Sequence, residues 1–190
     1  FEYTGSSNLA SNGTLVSGTG SAIYLNGSAI TASPGSTNVA GVVLDGPYTG
    51  FSPLPAGMTS GTDGENAGII TLGDSSVGIY GKNGSRISNT NTITVDNASA
   101  GLMTSGAGAF AQNSGTITVG TGSQGIYLKD GDYAQNTGNI LSAGAGTVGI
   151  YANNASVHVT NGGNIDLSGD KSIGIYSIGT IPQNINNKEE

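Results

Sequence analysis

Cysteine and tryptophan are absent from this chain, and charge is scarce, with only 9% of residues charged. Without cysteine there is no disulfide framework and no thiol chemistry. Five basic residues stand against twelve acidic ones, giving a net charge of −7, and Arg86 is the only arginine. Nucleic acid is therefore not expected as a partner, because phosphate binding requires clustered Lys and Arg. No apolar run approaches the ~18 residues of a membrane-spanning helix. The opening FEYTGSSNLA has no basic region followed by an apolar stretch, so no signal peptide is expected within it. Scarce charge also argues against disorder, which usually combines low hydrophobicity with many charges.

Glycine is what the chain has in excess, at 34 of 190 residues, against a usual ~7%. So much Gly, Ser, Thr and Asn leaves too little apolar bulk for a compact core. A repeat architecture escapes that difficulty, since each unit buries a narrow apolar face against the next.

The repeat is explicit. Gly78-Ile79-Tyr80 returns as Gly101-Leu102-Met103, Gly125-Ile126-Tyr127, Gly149-Ile150-Tyr151 and Gly174-Ile175-Tyr176, with glycine spacings of 23, 24, 24 and 25. A second series, Asn66, Asn89, Asn113, Asn136 and Asn161, is spaced 23, 24, 23 and 25. Four residues after each asparagine comes an isoleucine: Ile70, Ile93, Ile117, Ile140 and Ile165. Two landmarks that drift together by at most one residue establish the register.

Local chemistry decides the type of repeat. Asn91-Thr92-Ile93-Thr94-Val95 and Gly115-Thr116-Ile117-Thr118-Val119 alternate polar and apolar residues, as half-buried strands do. The expected fold is all-β: a parallel β-helix with about 23–25 residues per coil and coils stacked ~4.8 Å apart. Ile93, Ile117, Ile140 and Ile165 should form one interior column. Ile79, Leu102, Ile126, Ile150 and Ile175 should form another. Strict alternation places Val77 and Ile79 inward, with Gly78 and Tyr80 outward. The asparagines read as a stacked amide ladder at a corner. Tyr80, Tyr127, Tyr151 and Tyr176, interrupted by Met103, read as an exterior strip, either a stacking ladder or a docking surface for a protein or sugar.

Residues 66–190 form the regular part, and residues 1–65 are less regular. Ala22-Ile23-Tyr24 looks like an early copy of the tripeptide and Gly41-Val42-Val43 like the next, only 19 residues on. From Gly41 to Gly78 is 37 residues, and the excess falls in DGPYTGFSPLPAGMTSGTDGEN. Its prolines cannot sit in a central ladder, so a loop over residues 47–64 should project from the stack, with Tyr48 and Phe51 as candidate contact residues. At the other end IPQNINNKEE stops before completing a coil, which suggests truncation from a longer repeat protein.

Catalytic and metal chemistry is poorly provided for. His158 is the only histidine, and it lies on an alternating strand with Val157 and Val159 inward, so no zinc site or nucleophilic triad is expected. Asp74 and Asp96 fall near one corner, Asp170 lies further along, and Asp130 and Asp132 flank a turn glycine. These read as turn aspartates; no cofactor and no metal are expected. The paired threonines of an ice-binding array begin at Thr92 and Thr116 but give way to Asn139 and Asn164.

Units such as Ser76-Val77-Gly78-Ile79-Tyr80 and Gln112-Asn113-Ser114-Gly115-Thr116-Ile117-Thr118-Val119 resemble the passenger-domain repeats of large Gram-negative type V autotransporter adhesins. The resemblance covers roughly residues 66–180 well and the first 65 loosely. It implies a right-handed β-helix, display at the bacterial cell surface, and adhesion through a cell-surface protein or glycan receptor. It also implies a membrane connection only through a C-terminal barrel that this sequence does not contain. No binding residue transfers, because the family shares its scaffold rather than its sites. A polysaccharide-cleaving β-helix is the alternative from another class, and a trimeric autotransporter head is a third.

Overall fold

Gly-Ile-Tyr, the amide corner and the Thr-Ile-Thr segments each become one strand of a coil, and each coil lays its strands onto those of the previous one. The computed structural model describes residues 1–33, 35–50, 54–129, 133–153, 157–179 and 184–187. All strand pairings among them are parallel, and the chain is a β-solenoid with three faces. The first face holds seven strands, from Thr14–Thr19 to Ile173–Ile178, one for each turn of the solenoid. The second face stacks Arg86–Asn89, Phe110–Asn113, Tyr133–Asn136, His158–Asn161 and Asn184–Asn187. The third stacks Thr92–Val95, Thr116–Val119, Asn139–Ser142 and Asn164–Leu167. Toward the N-terminus, Ile23–Ala32 and Gly64–Leu72 run continuously through the second and third faces.

The interior is built from the expected columns. Ile30, Ile70, Ile93, Ile117 and Ile140 stack in register and are fully buried, with Ile165 continuing the column. Val42, Ile79, Leu102, Ile126 and Ile150 do the same on the first face. A third column, Ile87, Ala111, Ala134 and Val159, fills the space behind the second face.

Strict alternation fails at the tripeptide. Val77 is half-buried, whereas Gly78 and Ile79 are both buried, so the strand bows and presents two consecutive residues to the core. A Cβ at Gly125 would lie 2.5 Å from Ile140 Cγ2 and 2.6 Å from the Gly149 carbonyl oxygen. Glycine is therefore required there by close approach, not by an unusual φ. Ala22-Ile23-Tyr24 is likewise not a copy of the tripeptide. Ile23 pairs with Gly64 on the second face, and the first-face residue under Val42 is Val16. The 19 residues from Ala22 to Gly41 therefore join positions on different faces; the coil itself, from Val16 to Val42, has 26 residues.

Two polar ladders run through the corners. Asn66, Asn89, Asn113, Asn136 and Asn161 each donate from Nδ2 to the Oδ1 of the asparagine one coil on, at 2.7–2.8 Å. The last acceptor is Asn187, so the ladder extends one rung beyond the series legible in the sequence. The same amides also donate to backbone carbonyls, as Asn113 does to Gly115 and Asn139 at 3.3 and 3.2 Å. At the opposite corner a hydroxyl ladder joins Ser76, Ser99 and Ser123: the backbone N–H of each of the first two donates to the next Oγ, at 2.9 and 3.0 Å. Thr147 and Ser172 continue it at 3.3 Å.

Removing a middle rung leaves one amide without its acceptor and another without its donor. Asn113→Ala is expected to cost about 2–4 kcal/mol in urea denaturation, while Asn139→Ala on the surface stays within about 0.5 kcal/mol. The opposite sign is expected at Thr104. Its side chain stacks between Gly81 and Leu128, and its buried hydroxyl has no hydrogen-bond partner. Thr104→Val should gain about 1 kcal/mol with an unchanged denaturant slope.

Candidate functional site

Outward residues stack as faithfully as inward ones, so the exterior of the solenoid is organised in columns. On the first face Tyr80, Met103, Tyr127, Tyr151 and Tyr176 lie in register. The first four are half-buried, and Tyr176 is exposed. The rings of Tyr151 and Tyr176 stack at 5.5 Å, Tyr127 meets Tyr151 edge-on at 5.1 Å, and the Lys82 ammonium sits 5.2 Å from the centre of the Tyr80 ring. The expected tyrosine strip is therefore present, and its rings are largely engaged with one another.

A second exterior column stands on the neighbouring face, composed of Arg86, Phe110, Tyr133 and His158. Phe110 stacks on Tyr133 at 5.0 Å, and Tyr133 stacks on His158 at 4.7 Å, with interplanar angles of 26° and 11°. The Arg86 guanidinium covers the free end of this stack, 4.4 Å over the Phe110 ring. His158 is half-buried at the start of its strand, between the buried Val157 and Val159. A parallel column of half-buried polar side chains, Gln112, Gln135 and Thr160, runs two residues further along the same strands. This aromatic column escapes a search for repeated residue types because its members differ. It is nevertheless legible by position: each lies three residues before a ladder asparagine.

The insertion leaves the ladder as its prolines require, but its described residues do not project freely. It folds back over the strand Ile23–Ala32, where Met58 joins Ala22 and Tyr24 in a small buried cluster, with Tyr48 and Leu54 against it. Tyr48 is therefore partly packed, and Phe51 lies outside the described residues. Regular pairing resumes at Gly64, inside the span expected to project. Two buried carboxylates hold the insertion. Asp63 accepts hydrogen bonds from the backbone N–H of Tyr48 at 2.8 Å and of Arg86 at 2.7 Å. Glu65 accepts from the N–H of Thr59 at 2.7 Å and from the Thr62 hydroxyl at 3.4 Å. Arg86 Nε then donates to the Gly61 carbonyl at 2.6 Å, so the insertion borders the aromatic column. Burial pushes the Tyr24 phenol above its ordinary value, and the charges of Glu65 and Glu2 act in the same direction.

The turn aspartates are not brought together. Asp74 pairs with Asn97, accepting from its backbone and side-chain nitrogens at 2.9 and 3.0 Å, rather than stacking with Asp96. No group of three or more His, Cys, Asp or Glu side chains suited to a metal ion occurs among the described residues. Asp130 and Asp132 lie outside them.

No protein-family model, curated protein or solved structure matches this chain. The first face offers phenol edges and one cation. The second offers an arginine, an imidazole, ring edges and amides along four successive coils.

The clamp on the insertion can be tested separately from any ligand. Asp63→Ala removes the acceptor of two backbone N–H groups, each a charge-assisted bond of about 1.5–3 kcal/mol. Limited proteolysis within residues 47–62 should accelerate at least about tenfold, a factor that corresponds to 1.4 kcal/mol of local opening. The β-sheet circular dichroism should be retained.

Proposed function

We propose that this chain is a non-catalytic, extracellular coil stack of a bacterial surface protein of the autotransporter type, and that it holds exterior side-chain columns against a receptor on another cell. The observation that carries this reading is the continuity of the columns. A solenoid that needed only to act as a spacer would need ordered side chains inside and at its corners; here ordered stacks also run along two outer faces. Such a surface presents a side chain at the same place on successive coils, which lets individually weak contacts add along an extended partner. The net negative charge suits a soluble displayed surface, and a chain without cysteine carries no disulfide that would obstruct export in the unfolded state. The repeat pattern of the Val-Gly-Ile-Tyr and Asn-x-Gly-x-Ile-x-Val segments points the same way.

The test compares binding of the labelled chain to host-cell and bacterial surfaces with that of two column variants. In one, Tyr80, Tyr127, Tyr151 and Tyr176 are replaced by Ser. In the other, Arg86, Phe110, Tyr133 and His158 are replaced by Ser. Saturable binding by the unaltered chain and a loss of at least about tenfold in one variant are expected, the size of a single hot-spot deletion or more. Absence of saturable binding by the unaltered chain would make this stretch a spacer.

A further inference from the structure

The exterior column on the second face has a polarity that its shape alone does not reveal. Aromatic rings carry negative charge on their faces and positive charge at their edges. Phe110, Tyr133 and His158 stack face to face at 4.7–5.0 Å, so their faces are turned to one another along the solenoid axis. What remains for solvent is a row of ring edges. At the end of the row sits Arg86, the only arginine of a chain with a net charge of −7, and within the row sits its only histidine.

Arg86 is exposed yet held in place from two sides. Its guanidinium lies over Phe110 at 4.4 Å, and its Nε donates to the Gly61 carbonyl at 2.6 Å. Neither a ring nor a carbonyl cancels its charge. Because Nε is occupied, the two terminal nitrogens form the fork that remains, and a planar carboxylate matches that fork with paired hydrogen bonds. Beside the guanidinium, Arg86, Gly108, Ala109, Phe110, Tyr133 and Gln135 line a depression of about 390 Å³. That volume falls within the range of small-ligand sites.

The neighbouring column narrows the ligand class further. Gln112, Gln135 and Thr160 provide neutral donors and acceptors, one set per coil, alongside the ring edges. Each strand that carries them is paired on both sides, so along this column no backbone edge is open for an extended peptide to add as a strand. A polyhydroxylated chain that bears carboxylates satisfies the amides, the hydroxyl and the guanidinium together. We infer that the second-face column from Arg86 to His158 is a binding strip for a carboxylate-bearing glycan, with Arg86 as the carboxylate anchor. This rests on the reading of the exterior columns as a docking surface and names the class of partner that one of them takes.

The experiment titrates the full chain with a hexamer of galacturonic acid and with the same hexamer after reduction of its carboxyls, by calorimetry at low salt. The acidic hexamer should bind, and the reduced one should bind at least about tenfold more weakly, the difference made by a charge-assisted bidentate contact. Arg86→Gln should lose a similar factor. Arg86→Lys, which keeps the charge but not the fork, should remain weaker than the unaltered chain, and circular dichroism checks that both variants are folded. Equal affinity for the two hexamers, unchanged binding by Arg86→Gln, or no saturable binding of either sugar would overturn the inference. Cell binding separates the two levels. Cell binding by a chain that does not bind the acidic hexamer leaves the adhesive reading standing and removes the carboxylate anchor. A chain that binds the acidic hexamer but no cell surface keeps the carboxylate anchor and removes the adhesive reading.

Discussion

A column of buried asparagine amides is the constraint on which the rest of this molecule depends. Each rung is satisfied only if the next coil places its own asparagine directly above, because Nδ2 must find Oδ1 at 2.7–2.8 Å. Hydrophobic columns alone tolerate slippage, since an isoleucine packs acceptably on several neighbours. A buried amide does not, for a missed partner costs as much as the bond was worth and more. The amide ladder therefore sets the register, and the register in turn determines which residues meet on every face.

Once the register is set, the exterior inherits it. Phe110, Tyr133 and His158 stack because each stands three residues before a ladder asparagine, and Arg86 caps the stack for the same reason. The hydroxyl ladder through Ser76, Ser99 and Ser123 aligns the coils at the opposite corner, with backbone N–H groups as donors. The solenoid thus converts a one-dimensional sequence period into parallel lines of like contacts. That is the property an elongated receptor or polymer would exploit.

How much of this was legible in the sequence differs from element to element. The asparagine and isoleucine series were legible, because identical residues recur at nearly constant spacing and a ladder demands identity. The bow at Gly78-Ile79 was not: period-two alternation describes a flat strand, whereas Gly78 admits the Ile93 side chain where any larger residue would collide. Ala22-Ile23-Tyr24 misled for a related reason, since a tripeptide carries no label of the face on which it sits. The packing of the insertion could not be read either. It depends on Asp63 and Glu65 meeting backbone N–H groups up to 23 residues away, and nothing local marks those contacts. The aromatic column was hidden by its own variety, because stacking asks only for planarity and accepts arginine, phenylalanine, tyrosine and histidine alike.

The most direct test of the amide ladder is side-chain hydrogen exchange followed by NMR. If the ladder sets the register, the Nδ2 protons of Asn89, Asn113 and Asn136 should exchange orders of magnitude more slowly than those of exposed Asn139, because opening one rung requires separating two coils. Exchange of the ladder amides at the rate of Asn139 would contradict the account and return register selection to the hydrophobic columns.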